Sequence, residues 1–353
     1  MSLGPDLIAR ITAQGPISVA EFMAQALLHP TKGYYVTRDP LGAGGDFTTA
    51  PEISQMFGEL VGLSLAQAWL DQGAPAPFVL AELGPGRGTL MADILRATAG
   101  VPGFAQVAQV ALVEASPVLR DAQAEALAGH SPLWVDTVDA LPPGPLFVVA
   151  NEFFDALPVR QFQRAGDAWR ERSVGVSEGA LTFGWSPVGP QPALAHRIED
   201  TAEGDIVEHC PMATAIAHQL GARIAQDGGA ALIIDYGDWR SLGDTLQAVR
   251  DHAPVNPLEA PGAADLTTHV DFEALAQAAA PASHTRLTPQ GVFLERLGIT
   301  DRARALAAKL EAGPLEAHIA AHRRLTHPAE MGNLFKVLGI YPGAAAPPPG
   351  LLP

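Results

Sequence analysis

The chain has 353 residues, a formal net charge of −16, 48% hydrophobic residues and 17% charged residues. This composition supplies a large core and excludes a disordered chain, which needs low hydrophobicity and high charge. An acidic surface without a basic patch repels phosphate backbones, so a nucleic-acid partner is not expected. The single cysteine, Cys210, excludes an intrachain disulfide. No run of about 18 apolar residues occurs, so no membrane span is predicted.

The amino-terminal sequence carries no recognisable targeting signal. Residues Met1–Asp6 lack a basic region followed by an apolar stretch, and no Arg-rich, acid-poor segment precedes the first predicted helix. Secretory signals and organelle transit peptides have those features. We therefore expect a bacterial cytoplasmic protein.

The first part of the chain, residues 1–75, has mostly helical spacing. Ser18 followed by Glu21 has the pattern of a capping box and predicts a helix that begins at Val19. The segment 32–51 is rich in Gly, Pro, Thr and Asp, which predicts a long loop of functional interest. Helical spacing resumes from Ile53 to Leu70.

From Phe78 onward, short apolar runs alternate with helical patterns. Strands that are apolar throughout and separated by helices indicate a mostly parallel sheet with helices on both faces, an α/β fold. We expect this core over 76–245, interrupted by an insertion at about 158–227 that contains a β-meander followed by helices. The predicted strands are 78–81, 107–113, 133–135, 146–150 and 230–234.

The remaining segment, 246–343, is predicted to be an α/β region that completes the sheet. A helix is expected near Asp271–Ala280. One or both of the apolar stretches 292–294 and 334–338 are predicted to be antiparallel strands at the sheet edge. The low-complexity tail 344–353 is predicted to be disordered.

A glycine-rich turn follows the first strand of the predicted sheet. An NAD fingerprint needs its third glycine one position later, where Thr89 stands. A carboxylate at Glu82 would repel a pyrophosphate but attract the ammonium and sulfonium groups of S-adenosylmethionine (SAM). We therefore predict a SAM site, with an NAD-dependent oxidoreductase as an alternative. The predicted cofactor-binding residues of this turn are Glu82, Gly84, Pro85, Gly86 and Gly88.

Acidic residues follow the second and third strands. Glu114 can accept both ribose hydroxyls of a nucleoside, which supports nucleoside binding without choosing between NAD and SAM. Asp136 is a candidate partner of the adenine amino group. Both residues are therefore predicted to contact the cofactor.

The fourth strand delivers polar and aromatic side chains to the edge where ligands bind in parallel sheets. Asn151 is a candidate cofactor ligand, and Glu152 and Asp155 are candidate catalytic residues. Carboxylates can pair with a guanidinium through two parallel hydrogen bonds, and aromatic faces such as Phe153 and Phe154 can cover a cation. The structural alternative is a helix start with the Phe pair in the core.

Several segments resemble signatures of the MidA-like SAM-dependent methyltransferases, the family of a mitochondrial complex I assembly factor that methylates an arginine. The resemblance implies a Rossmann-like class I methyltransferase fold, SAM as the cofactor, and a protein arginine, on a respiratory complex I subunit, as the acceptor. A non-catalytic SAM-binding assembly factor is the alternative. The matching segments are 44–58, 82–90, 151–158, 234–237, 265–272 and 332–337.

The same resemblance assigns roles by position to residues outside the strands described so far. Asp46, Phe47 and Thr48 would close over SAM from the amino-terminal loop. Asp235, at the end of the fifth strand, would lie beside the acceptor and act in catalysis. The resemblance leaves open whether this chain modifies the same acceptor protein as its mitochondrial relative, the degree of methylation and the oligomeric state.

No metal site is predicted. His318 and His322 are four residues apart on a predicted helix, but no Glu follows His318 as zincins require. No third ligand is evident, so the two histidines are interpreted as a surface pair.

Overall fold

The amino-terminal region is helical, and the computed structural model describes residues 3–37 and 48–353 of the chain. The backbone N–H of Glu21 donates to Ser18 Oγ at 3.1 Å, and the Ser18 N–H donates to Glu21 Oε2 at 3.0 Å. The predicted capping box is therefore confirmed. The elements are α1 (Gly4–Gln14), β1 (Ile17–Ser18), α2 (Val19–Leu28), α3 (Tyr34–Thr37), α4 (Ala50–Ile53) and α5 (Gln55–Asp71).

Alternating strands and helices follow, as the apolar runs predicted. Each strand is bounded by turns or helices, and β2 and β5 are buried along their whole length. A short 3₁₀ turn, Val138–Ala140, precedes the last strand of this group. The elements are β2 (Phe78–Leu83), α6 (Thr89–Thr98), α7 (Phe104–Val107), β3 (Ala108–Val113), α8 (Pro117–Ala126), β4 (Leu133–Val135) and β5 (Leu146–Asn151).

The insertion begins with the predicted meander, but the segment after it is only partly helical. A strand, β9, interrupts the segment 196–226, because Val207 packs against Phe162 and Trp169 in a small separate core. The strand β1 also joins this sheet, whose order is β1-β7-β6-β9 with β8 paired to β7. The elements are β6 (Arg160–Ala165), β7 (Ala168–Ser177), β8 (Ala180–Trp185), a 3₁₀ turn (Pro192–Arg197), β9 (Ile206–His209) and α9 (Pro211–Asp227).

The last strand of the parallel sheet, β10 (Gly229–Asp238), leads into the carboxy-terminal region. That region contains short strands, four helices of seven or more residues among the described residues, and a long final strand. The elements are β11 (Gln247–Arg250), β12 (Ala253–Pro254), β13 (Asp265–Thr267), β14 (Val270–Asp271), α10 (Phe272–Ala278), β15 (Ser283–His284), β16 (Thr288–Pro289), α11 (Gln290–Arg296), α12 (Ile299–Ala307), α13 (Ala312–Thr326), α14 (Met331–Leu334) and β17 (Phe335–Tyr341).

The two late apolar stretches have different structures. The stretch 334–338 lies mostly in β17, which pairs antiparallel with β10 as predicted. The stretch 292–294 lies in α11, where Phe293 and Leu294 are buried and Val292 is exposed, so the strand prediction is wrong there. A three-residue apolar run does not distinguish a strand from a helix.

The main sheet has the order β15-β17-β10-β5-β2-β3-β4, and the strands from β10 to β4 are parallel. Successive strand residues face opposite sides. Leu80 and Phe147 pack against α5 and α6 on one face, and Val79 and Val148 pack against α9 and α10 on the other. The predicted sheet with helices on both faces is therefore confirmed. Among the described residues, every helix is too short or too polar to cross a bilayer.

The carboxy-terminal tail is ordered, which corrects the prediction of disorder over 344–353. Its backbone is irregular, but Leu351 is buried in the main core. Ser64 Oγ donates to the Pro349 carbonyl at 2.8 Å, and the Arg286 N–H donates to the Leu352 carbonyl at 2.9 Å. The low-complexity composition gave no sign that Leu351, one of two leucines in the tail, anchors this segment in the core.

Candidate functional site

The carboxyl ends of the parallel strands open into a cavity of about 510 Å³, the donor cavity. The fold brings seven of the predicted site residues into its wall, because parallel strands end at one edge of the sheet. They are Glu82, Gly84, Gly86, Glu114, Asp136, Asn151 and Glu152. Five other predicted residues lie outside this wall, namely Thr48, Pro85, Gly88, Asp155 and Asp235. Asp46 and Phe47 lie outside the described residues.

The glycine turn has the backbone conformation that its sequence predicts. Gly84, Gly86 and Gly88 have φ values of 63°, 53° and 84°, which L side chains rarely adopt. A Cβ on Gly84 would lie 2.8 Å from Phe153 Cδ2, so the turn and the Phe153 ring are in close contact. Pro85 supports the turn through its carbonyl, which accepts from the Gly88 N–H at 2.8 Å.

Two buried oxygens in the donor cavity wall lack hydrogen-bond partners in the described part of the chain. They are Glu82 Oε2 and Asn151 Oδ1. Burial raises the pKa of Glu82 to about 8, and the nearby charge of Glu114 adds to this effect. Buried polar atoms without partners are costly, and a cationic ligand with N–H groups would satisfy both. The wall therefore fits SAM, whose amino acid moiety carries an ammonium.

Glu114 is held by a buried hydrogen-bond network that connects it to the glycine turn. Glu114 Oε1 accepts from the Ser116 N–H at 2.7 Å, and Oε2 accepts from Gln123 Nε2 at 3.1 Å. The same nitrogen donates to the Gly86 carbonyl at 2.7 Å, and Gln123 Oε1 accepts from Trp134 Nε1 at 2.8 Å. Burial raises the pKa of Glu114. The carboxylate is thus fixed in place at the end of β3.

Gln123 was not among the site residues predicted from the sequence. It lies four residues after the buried Leu119 and is itself fully buried, so it occupies a core position of α8. A polar residue at an apolar position of a helical pattern was the available signal.

Asp136 lies at the solvent edge of the donor cavity. Its Oδ1 accepts from Arg120 NH2 at 2.6 Å, and the Arg120 Nε donates to the Glu114 carbonyl at 2.9 Å. The Asp136 side chain is exposed. This position suits contact with the outer end of a nucleoside whose ribose lies at Glu114.

Glu152 combines an unusual backbone conformation with an unusual pKa. Its φ is 51°, a strained value for a residue with a side chain, and such strain occurs at functional sites. Its Oε1 accepts from the Ala50 N–H at 3.0 Å and from Asn151 Nδ2 at 3.2 Å. Burial, followed by the charge of Asp155, raises the pKa of Glu152 to about 7. This carboxyl group exchanges a proton near neutral pH.

Asp235 lies beneath the turn that carries Glu152 rather than in the cavity wall. Its Oδ2 accepts from the backbone N–H groups of Phe153, Phe154 and Asp155 at 3.2, 3.0 and 3.2 Å. Burial and the charges of Asp155 and Glu152 raise its pKa well above the usual range. These contacts hold the turn and leave the side chain away from the donor cavity.

Asp155 is buried behind Tyr236. Its Oδ2 accepts from the Tyr236 hydroxyl at 2.6 Å, and its Oδ1 has no hydrogen-bond partner among the described residues. Burial raises the pKa of Asp155 to about 6. Glu152, Asp155 and Asp235 therefore form one electrostatically coupled group, of which only Glu152 reaches the donor cavity.

The outer wall of the donor cavity is apolar and was not predicted. Leu28 of α2 and Met212 and Ile216 of α9 contribute to it. Leu28 and Met212 are about half exposed, at 48% and 47%. These side chains come from segments far apart in sequence, and only the packing of the insertion against the sheet brings them together.

The contacts of His318, His322 and Cys210 indicate structural rather than catalytic residues. His318 Nε2 lies 3.0 Å from the Ala303 carbonyl, and His322 Nε2 lies 3.1 Å from Thr300 Oγ1. Burial raises the pKa of Cys210 to about 11, which makes the thiol unreactive. Over residues 3–37 and 48–353, no cluster of three or more His, Cys, Asp or Glu side chains has an arrangement that would hold a metal ion.

Comparisons with known proteins show the family of the chain. Residues 60–290 match the model of a family described as S-adenosyl-L-methionine-dependent methyltransferases. The chain is 39% identical to "Protein arginine methyltransferase NDUFAF7, mitochondrial" of Danio rerio, over 95% of this chain and 85% of the relative. The Homo sapiens protein of the same name is 38% identical, over 95% and 82%.

A solved structure has the same fold. It is a methyl transferase homologue from Burkholderia thailandensis bound to S-adenosyl-homocysteine, with 31% identity and a TM-score of 0.81 over 97% of this chain and 92% of that chain. The class I methyltransferase fold and the SAM cofactor are therefore confirmed, and the NAD alternative is wrong. The predicted cytoplasmic location is also wrong, because the curated relatives are mitochondrial proteins by name. The chain belongs to the S-adenosyl-L-methionine-dependent methyltransferase family.

Proposed function

We propose that this methyltransferase transfers the methyl group of SAM to an arginine of a protein, and that the acceptor protein is a subunit of respiratory complex I. The proposal rests mainly on Glu152, a carboxyl group in the donor cavity wall whose burial raises its pKa to about 7. The names of the relatives, which are protein arginine methyltransferases, support an arginine as the acceptor residue, and the complex I subunit is proposed from the family resemblance.

Different residues of the donor cavity wall bind different parts of the cofactor. Glu82 and Asn151 hold the ammonium end through their unpartnered oxygens, and Glu114 accepts the ribose hydroxyls. Gly84 and Gly86 let the backbone approach the ligand, and Asp136 lies toward the adenine. When bound, SAM supplies a methyl group that its sulfonium already activates. The roles of Asp46, Phe47 and Thr48 over the cofactor remain proposals from the family resemblance.

Glu152 acts on the acceptor. A guanidinium with a pKa above about 12 has no free lone pair while its charge is delocalised. A carboxylate that pairs with two of its nitrogens localises the charge there and takes the proton released during transfer. A pKa of about 7 suits Glu152 to that exchange at neutral pH. Asp235 is a positioning residue that holds the turn, and Asp155 stabilises the charge from behind Tyr236.

The test is methyl transfer to an identified acceptor. The purified chain is incubated with methyl-labelled SAM and a mitochondrial extract that contains complex I assembly intermediates, and modified peptides are sequenced by mass spectrometry. We expect label as methylarginine on one complex I subunit, and none with Gly86→Val, which fills the ligand space. A chain that binds SAM yet labels no protein would be the non-catalytic assembly factor, and label on lysine would refute the arginine acceptor.

A further inference from the structure

A second cavity, of about 710 Å³ and open to solvent, lies between the ends of β10 and β17 and the helix α13. Among the described residues, its wall shares no member with the donor cavity wall. We call it the second groove. Its wall includes Gly237, Asp238, His269, Arg324, Ala329 and Leu334.

Two contacts connect the second groove to the catalytic carboxylates. Arg324 NH2 donates to the Thr48 carbonyl at 3.5 Å, and the next residue, Thr49, lies in the donor cavity wall together with Glu152. The charge of Arg324 also lowers the pKa of Glu152, which partly offsets the effect of burial. Glu152 therefore lies within electrostatic reach of both cavities.

The second contact runs through an aromatic side chain. The Tyr236 ring packs edge-to-face on His269 of the groove wall, with ring centroids 5.6 Å apart. The Tyr236 hydroxyl donates to Asp155, whose other oxygen is buried and without a partner. Tyr236 therefore contacts both the wall of the groove and the carboxyl group of Asp155.

We propose that the second groove binds the protein segment that carries the acceptor arginine, with the guanidinium entering past Tyr236 to reach Glu152. This inference rests on the proposed function. A nitrogen that displaces a leaving group must approach the methyl carbon from the side opposite that group, so donor and acceptor need separate entrances that meet at one point. Glu152 lies in the wall of the donor cavity, and the charge of Arg324 in the wall of the second groove acts on it.

The charges of the groove indicate which flanking residues it accepts. Lys336 Nζ donates to the carbonyls of Gly237, Asn333 and Leu334 at 3.1, 2.7 and 3.3 Å, so its charge is engaged by the chain itself. The acidic Asp238 and the basic Arg324 lie on the same wall, and Leu334 is half exposed. A wall that carries both charges beside an apolar side chain fits a peptide whose flanking residues do not form a run of like charge.

The test uses two bisubstrate probes, each of which joins the adenosine of the cofactor to a guanidinium that represents the acceptor. In the peptide probe, the 5′ carbon of adenosine is joined to the guanidinium of a capped Gly-Arg-Gly peptide. In the short probe, the peptide is replaced by methylguanidine. Ala329→Trp fills the groove from an exposed position, and Ala180→Trp, at the exposed first residue of β8, is the matched control. Leu334→Arg is a second variant of the groove wall.

We expect Ala329→Trp and Leu334→Arg to weaken the peptide probe about tenfold by calorimetry, and to leave the short probe and S-adenosylhomocysteine unchanged. Ala180→Trp should bind all three ligands as the wild-type chain does. Wild-type affinity of both groove variants for the peptide probe would overturn the groove assignment. A urea version of the short probe that binds as tightly as the guanidinium would instead overturn the arginine acceptor, which separates the two failures.

Discussion

The side-chain amide of Gln123 donates to Glu114 Oε2 at 3.1 Å. The same nitrogen donates to the Gly86 carbonyl, and the Gln123 oxygen accepts from the Trp134 indole. A fully buried residue on α8 therefore fixes the carboxylate of Glu114 relative to the glycine turn. One side chain therefore fixes the relative position of two parts of the donor cavity wall, which follow different strands.

Replacing Gln123 with Met keeps the side-chain volume and removes the hydrogen bonds to Glu114 and Gly86. A buried acceptor that loses its donor costs about 1–3 kcal/mol, so we expect S-adenosylhomocysteine to bind about ten-fold more weakly or worse. Isothermal calorimetry measures this change. Gln109→Met, on the exposed side of β3, is the matched control and should bind normally. Unchanged affinity of Gln123→Met would show that Glu114 needs no such support.

The affinity for SAM should rise with pH between about 6 and 8. Glu82 has a pKa of about 8 because it is buried, so it is mostly protonated at pH 6 in the free protein. A cationic ligand favours the carboxylate, so binding releases a proton and strengthens as the pH rises, by up to about tenfold per pH unit, until the pH exceeds that pKa. Calorimetry in two buffers with different ionisation enthalpies counts the released proton.

Two variants show which carboxyl group releases this proton. Glu82→Gln should bind weakly with little dependence on pH, whereas Glu152→Gln should retain most of the dependence. The same slope in Glu82→Gln as in the wild-type chain would place the proton on another group.

The sequence predicted the parts of the site that follow from strand order and local conformation. Gly84, Gly86 and Glu152 come directly after strands, and parallel strands end at one edge, so their convergence on one cavity could be predicted without coordinates. The unusual φ values of the two glycines were likewise encoded by residue type.

Other parts depend on contacts between distant segments. The family resemblance predicts Asp235 beside the acceptor, whereas in the structure the turn 153–155 folds over this residue and its N–H groups donate to the Asp235 carboxyl oxygen. Met212 reaches the donor cavity only because α9, which follows the insertion's strands, packs on the sheet. The strand β9 and the anchored Leu351 were missed because short or low-complexity segments carry no periodic signal.

Asp235→Asn should lower stability as well as activity. One carboxyl oxygen accepts from three backbone N–H groups and the other accepts from the Tyr236 N–H at 2.9 Å, so an amide must turn its NH2 group towards at least one of these donors, which should cost about 1–3 kcal/mol of unfolding free energy. Urea unfolding measures this loss. Asp155→Asn, whose side chain accepts from one hydroxyl, should lose less, and the exposed Asp121→Asn should lose nothing measurable. Equal stability of Asp235→Asn and Asp121→Asn would contradict the positioning role.

Glu152→Gln should separate binding from catalysis. Glutamine retains an oxygen to accept from the Ala50 N–H, so the turn and SAM binding should persist, but it takes no proton. We expect methyl transfer to fall about 10²-fold or more. In the wild-type chain, turnover should rise with pH through about 7 and then level off, because the base acts when deprotonated. Glu125→Gln, an exposed change on α8, controls for the loss of one charge. Wild-type turnover by Glu152→Gln, or a rate that falls as the pH rises through 7, would exclude Glu152 as the base.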